Sequence, residues 1–244
     1  MPEYPIFYSP LIHPDHPFLS EEESVHALKV LRLRPGDPLR IHDGAGKAYL
    51  AEIAGSNHRQ CSLNLLHILE DSPFTPHSLH IAIAPTKNAD RLEWFIEKAT
   101  EIGIGRITPL LCERSERKRI ASDRLLRVII SAMKQSGKLW LPVLDPLTPF
   151  RDFIGETRHA KKGIAHCLEG ERTPLSRWYE PGTSPILMIG PEGDFSPVEI
   201  QEALAQGYQS ISLGNSRLRT ETAGLVVCQS IALLEEWHGQ TIGS

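Results

Sequence analysis

Leu187–Val227 reads LMIGPEGDFSPVEIQEALAQGYQSISLGNSRLRTETAGLVV, and this stretch decides the fold. It holds two glycine-bearing turns, each closing a short apolar run with the character of a buried strand. Gly190-Pro191-Glu192-Gly193 ends the run Pro185–Ile189, and Leu213-Gly214 ends the run Ile211–Leu213. Glycine has no Cβ, so a ligand can approach the backbone of such turns closely. Strand, glycine turn and helix in succession is how open α/β sheets build ligand sites at strand carboxyl ends. The turns are 24 residues apart (Gly190 to Gly214), room for one helix and one strand. That spacing predicts two adjacent parallel strands presenting both turns on one sheet edge. Ordinary βα connections are the plainer reading of either turn alone. The pairing of the turns, the polar Arg217–Thr222 segment and the apolar helix after it favour a site.

Outward from this stretch the pattern alternates. Leu79–Ala84 reads as a strand, and Leu92, Phe95, Ile96, Ala99 and Ile102 give a 3.6-residue stripe for a helix over Ala89–Ile102, stopped by Gly103. Strand Ile107–Leu111, helix Arg124–Gln135 and strand Gly163–Cys167 follow. Ser196, Pro197 and Glu199 start another helix with a capping box, and Gly207 ends it. Alternating β and α predicts a mostly parallel sheet covered on both faces. The last helix, about Glu221–Trp237, carries Ala223, Leu225, Val226, Val227, Ile231, Ala232, Leu233 and Leu234 in nearly every direction, which suggests a subunit interface.

Upstream, Ile6 to about Glu70 reads as a small β-rich unit. Leu39 and Ile41 lead to a hairpin at Asp43-Gly44, and Tyr49–Ile53 and Cys61–Leu69 are further strands. One helix interrupts them, with Ser20 and Glu23 as a capping box and Val25, Leu28 and Leu31 as its apolar face. Residues 71–77, with two prolines, form a linker.

Composition narrows the function classes. The 244 residues are 41% hydrophobic and 23% charged, ordinary for a globular chain. A balance of 26 basic against 30 acidic residues gives −4, so nucleic-acid binding must rest on local patches. No signal peptide is apparent, and no run approaches the roughly 18 apolar residues of a membrane span. Cys61, Cys112, Cys167 and Cys228 are scattered, and His13 and His16 lack a third ligand nearby, so no metal site is indicated. A reduced cytoplasmic protein is the expectation. Pro85–Asp90 after the first strand contains neither a dinucleotide nor a P-loop glycine motif, which argues against a nucleotide-dependent metabolic enzyme.

Gly190–Ile200 (GPEGDFSPVEI) and Leu213–Ala223 (LGNSRLRTETA) resemble the two C-terminal motifs of the RsmE family, within the SPOUT class of RNA methyltransferases. Lys29–Asp37, Asp43–Ile53, Glu97–Leu110 and Ala165–Gly170 extend the resemblance over nearly the whole chain. It implies an α/β fold with a PUA-like β-barrel domain over residues 1–72 and a SPOUT methyltransferase domain over 78–244. The parallel sheet of the second would carry a trefoil knot at about 185–235, an exception to the general absence of knots. The implied activity is methylation of N3 of a uridine in 16S rRNA of the small ribosomal subunit, using S-adenosylmethionine, by a homodimer without metal or membrane.

By the same resemblance the cofactor is held by Leu168, Glu169 and Gly170, by Gly190, Pro191, Glu192 and Gly193, and by Leu213, Gly214 and Leu218. Uracil N3 carries a proton, so methylation requires that proton to leave and charge on O2 and O4 to be stabilised. Arg219 fits the electrostatic role, and Glu221 fits organising it or accepting the proton. Helix capping by Thr220, with Glu221 at the positive helix end, is the competing reading and stabilises by about 1 kcal/mol. The family pattern reads L-G-x-R-aliphatic-L-R, whereas Ser216-Arg217-Leu218-Arg219 shifts its first arginine by one position and leaves the role of Arg217 open. Asp194 stands where a further glycine is frequent.

Lys29, Arg32 and Arg34 (with Arg40), and Arg114, Arg117, Lys118 and Arg119, form two local basic runs. Each is a solvated face or a phosphate contact, the latter natural for an RNA binder of net negative charge. His166 reads as a satisfied core histidine rather than a base. Two alternatives stay open beside N3 methylation: a SPOUT methyltransferase acting at another RNA position, and a non-catalytic RNA-binding protein.

Overall fold

The computed structural model describes residues 4–72, 79–156 and 161–242. In chain order the elements begin with β1 (Ile6–Tyr8), α1 (Glu21–Val25), β2 (Pro38–His42), β3 (Lys47–Gly55) and β4 (Ser62–Asp71). There follow β5 (His80–Ile83), α2 (Ala89–Ile102), β6 (Arg106–Leu111), α3 (Ser122–Gln135), β7 (Val143–Leu144), β8 (Thr148–Pro149) and α4 (Phe150–Glu156). The chain closes with β9 (Lys161–Ala165), β10 (Thr173–Pro174), α5 (Leu175–Trp178), β11 (Pro185–Ile189), α6 (Pro197–Ala205), β12 (Gln209–Ser212) and α7 (Thr220–Ile242). They fall into two compact units, Met1–Thr75 with Ile130–Leu141, and Pro76–Ile129 with Pro142–Ser244.

In the first unit β1 pairs in parallel with β2, and β2, β3 and β4 run antiparallel. Alternation sends Leu39, Ile41, Ala51, Ile53 and Leu63 into one core with Phe7 and Cys61. At the predicted hairpin, Asp43 Oδ1 accepts the Ala45 and Lys47 amides at 2.7 and 2.9 Å. The capping box at Ser20 forms only by half. Ser20 accepts the Glu23 amide, but the Glu23 carboxylate turns away to the Tyr8 amide (3.3 Å) and to Lys134 Nζ (2.6 Å). After Val25 the helix widens into a π-helical segment, His26–Val30. The extra residue in that turn rotates the apolar face, so Ala27 is buried and Leu31 is left 42% exposed.

Ile130–Leu141 belongs with this first unit, although the helical pattern places it in the second. The chain there meets polar partners that periodicity does not reveal. The Lys138 carbonyl lies 2.8 Å from His42 Nδ1, and the Leu141 amide donates to the Gly44 carbonyl at 2.9 Å.

The second unit is a parallel sheet in the order β10-β12-β9-β11-β5-β6-β7, with β8 beside β6. Ala82, Ile164, Ile186 and Met188 face one core with Phe150, Phe153 and Ile154 of α4 and Ile200 of α6. The other face meets α2 and α7, where a Cβ on Gly224 would stand 2.6 Å from the Phe95 ring and 3.1 Å from Ile83. The capping box of α6 is complete, with Ser196 and Glu199 each bonded to the other's backbone. The strand order departs from the predicted adjacency, because β9 lies between β11 and β12. Spacing along the chain fixes that a crossover occurs, not which earlier strand it passes over.

Gly163, in the middle of β9, lets Trp178 and Ile211 close over the strand; a Cβ there would lie 2.8 Å from Ile211 and 3.1 Å from Trp178. Gly163→Val is therefore expected to destabilise the protein by about 1–3 kcal/mol through overpacking. Urea unfolding checks this, with the midpoint falling and the m-value unchanged.

Candidate functional site

Because β9, β11 and β12 are parallel, their carboxyl ends open on one edge of the sheet. The loops beyond them surround a cavity of about 420 Å³. Its wall takes Ala165 at the end of β9 with His166 and Cys167 of the loop after it, and Ile189 at the end of β11 with Gly190, Pro191, Glu192 and Asp194 of the turn after it. Ile211 comes from β12, Leu213, Gly214 and Ser216–Arg219 from the segment after it, and Thr220 and Ala223 from the start of α7, with Arg91 of α2 and Arg172 completing the wall.

Hydrogen bonds lock these loops together. The buried Thr220 hydroxyl donates to the Gly190 carbonyl at 3.0 Å, joining the start of α7 to the β11 turn. It does not cap its own helix, whose first bond runs from the Ala223 amide to the Arg219 carbonyl. Asp194 adopts a left-handed backbone, φ 62°. Its Oδ1 accepts the Phe195 amide and its Oδ2 the Cys167 amide, both at 2.8 Å. Gly214 has φ 111°, which any side chain would resist. Arg172 donates to the His166 carbonyl at 2.9 Å, and Glu192 accepts the Lys87 amide at 2.9 Å.

His166 is not a satisfied core histidine. Its Nε2 lies 2.9 Å from Ser210 Oγ, but its Nδ1 is buried at the cavity wall without a partner among the described residues. Burial pushes its pKa down and Arg172 adds to that, while Asp194 opposes.

Of the sequence-predicted residues, Gly190, Pro191, Glu192, Leu213, Gly214, Leu218 and Arg219 line the cavity. Leu168, Glu169, Gly170 and Gly193 do not, and Leu168 is 46% exposed. The Gly193 carbonyl accepts Arg114 Nη1 at 3.0 Å, while Arg117 donates to the carbonyls of Thr86 (3.0 Å) and Lys87 (2.7 Å). Those two arginines brace loops beside the site. Lys118 and Arg119 are exposed, as are Lys29, Arg32 and Arg34 in the first unit. Glu221 lines a second cavity, of about 600 Å³, that shares Arg91, Arg217, Leu218 and Arg219 with the first. The sequence offered no signal for Arg91 or Arg172, which arrive from distant segments. Asp194 was signalled only by its place beside the glycine turn.

Folding favours the neutral form of His166, so its stabilising contribution is present above its ordinary pKa of 6.5 and is lost as pH falls below that value. Thermal melts between about pH 8 and about pH 5 should fall towards acid, and His166→Gln should flatten part of that fall.

The RNA methyltransferase domain family matches residues 73–232, and the RNA methyltransferase PUA domain family matches residues 19–66. A ribosomal RNA small subunit methyltransferase E from Rickettsia conorii is 31% identical over 220 residues, covering 88% of this chain and 89% of that protein. The crystal structure of a probable rRNA-methyltransferase from Porphyromonas gingivalis superposes with a TM-score of 0.88 at 41% identity, covering 96% of this chain and 99% of the other. A ribosomal RNA small subunit methyltransferase E from Neisseria gonorrhoeae, bound to S-adenosyl methionine, gives 0.82 at 27% identity, covering 95% and 98%. With its PUA-like first unit, its parallel α/β second unit and these matches along most of its length, the chain belongs to the ribosomal RNA small subunit methyltransferase E family of RNA methyltransferases.

Proposed function

We propose that this protein methylates RNA of the small ribosomal subunit with S-adenosylmethionine, at N3 of a uridine in 16S rRNA. The observation that carries the reading is the cavity at the carboxyl ends of β9, β11 and β12, built from the two family motifs. Its volume, about 420 Å³, is within the range of small-molecule sites. Ile189, Ile211, Leu213 and Leu218 give apolar walls for an adenine. Glu192 and Asp194 present carboxylates to a sulfonium and an ammonium, and Arg172 presents a guanidinium to a carboxylate. The unpartnered His166 Nδ1 is a further polar atom that a ligand would satisfy.

When bound, S-adenosylmethionine supplies an electrophilic methyl group on a positively charged sulfur. Arg219, on the wall shared by both cavities, stabilises the charge that uracil O2 and O4 acquire as the proton leaves N3. Glu221 is 6% exposed, with Arg91 Nε 3.8 Å from its Oε1, and serves as proton acceptor beside that arginine.

Lys29, Arg32, Arg34, Lys118 and Arg119 supply phosphate contacts. A homodimer forms through α7, where Leu233 is 39% exposed and Leu225, Val226 and Leu234 are only partly covered. The insertion of β11 between β9 and β5 supports a knotted chain over about 185–235. No helix among the described residues is long and apolar enough to cross a membrane. A ribosomal RNA substrate puts the enzyme in the cytoplasm.

Incubation with labelled S-adenosylmethionine and small subunits lacking the modification, beside free 16S RNA, should yield 3-methyluridine at one nucleotide. Methylation elsewhere would reassign the target, and no cofactor binding by calorimetry would sink the reading. Arg219→Ala should lower kcat about a hundredfold to a thousandfold while cofactor affinity is largely kept. RNA binding without any turnover by the unsubstituted protein would leave an RNA-binding module instead.

A further inference from the structure

We propose that the second cavity receives the acceptor base and that the indole of Trp94 is the surface on which it stacks. This rests on the methyltransferase reading above and names the subsite that the pyrimidine occupies. The cavity, of about 600 Å³, shares Arg91, Arg217, Leu218 and Arg219 with the first, so its occupant would touch residues that also line the first cavity. What it adds is Asp90, Trp94, Glu221 and Thr222.

Two observations point to a base. Trp94 lies on α2 between Leu92, Phe95 and Ile96, which are buried, yet its own side chain is 43% exposed at this cavity. An accessible indole beside guanidinium groups is the usual setting in which proteins stack an unpaired base. The second observation is Glu221. Its Oε2 is buried with no hydrogen-bond partner among the described residues, and its Oε1 is 3.8 Å from Arg91 Nε, longer than a hydrogen bond. A buried carboxylate oxygen left without a donor is costly, so the cavity is completed by a ligand that brings one.

The N3–H of uracil is such a donor. Cytosine carries a lone pair at N3, which would face the carboxylate oxygen and be repelled. The cavity therefore selects a pyrimidine with an imide N–H. In the transfer itself the N3 proton passes to Glu221, the N3 lone pair bonds the methyl carbon, and the electrons of the broken C–S bond stay on sulfur as a neutral thioether. Trp94 takes no part in bond making; it positions the ring for in-line attack.

The test uses the full-length protein with saturating S-adenosylmethionine and small subunits lacking the modification, comparing Trp94→Ala and Trp94→Phe. Trp94→Ala should reduce kcat/KM about tenfold to a hundredfold while the calorimetric Kd for S-adenosylmethionine stays within about twofold. Trp94→Phe, which keeps an aromatic face, should recover most of the loss. Intrinsic fluorescence of the unsubstituted protein should be quenched by a 16S fragment bearing the target uridine, less by the same fragment with cytidine there, and the difference should vanish in Trp94→Phe. Unchanged turnover in Trp94→Ala, or no recovery in Trp94→Phe, overturns the proposal. So does a lowered sedimentation mass for Trp94→Ala, which would assign the indole to a protein interface. If the unsubstituted protein fails to methylate, the enzymatic reading falls; uridine-selective quenching then still upholds the base site, and its absence removes that as well.

Discussion

Strand β11 can satisfy its backbone only in the middle of a sheet. All five residues of Pro185–Ile189 are buried, and the strand pairs with β9 on one edge and β5 on the other. That demand forces the chain to return between two strands already laid down. It also brings the carboxyl ends of β9, β11 and β12 onto one edge. The turn at Gly190 then lies beside the start of α7, close enough for the Thr220 hydroxyl to reach the Gly190 carbonyl. In a low-dielectric interior such a bond is costly to leave unmade, so the two motifs are fixed to each other by the fold itself.

The charge arrangement around the cavity has its origin in the same geometry. Carboxylates from the β11 turn stand on one wall and arginines from α2, from the loop after β9 and from the segment after β12 on others. A ligand with both a cationic and an anionic end would find complementary partners there. Two of the buried polar atoms with unfilled hydrogen-bonding capacity among the described residues, His166 Nδ1 and Glu221 Oε2, are on residues that line one of the cavities.

How much of this was legible in the chain depends on how local the determinant is. The span of α2 is readable from its stripe and its Gly103 stop, and the start of α6 from Ser196, Pro197 and Glu199, because each signal lies within a few residues of the element it defines. The glycine turns are readable for the same reason. The insertion of β9 between β11 and β12 is not, since pairing partners are chosen by tertiary packing among similarly apolar strands. Arg91 and Arg172 are not legible either, because a guanidinium in a polar segment carries no periodic signature. The Ser20 capping box failed by half because Lys134, more than a hundred residues away, offers Glu23 a charged partner that outcompetes a neutral amide.

Asp194 has a further consequence. An aspartate held at φ 62° bears a conformational cost of about 1–2 kcal/mol that glycine would avoid. Its carboxylate offsets that cost by clasping one amide from the turn after β11 and one from the loop after β9. Neither loop can open without releasing the other. The entropy of ordering both loops is thus removed when the chain folds rather than in a later step.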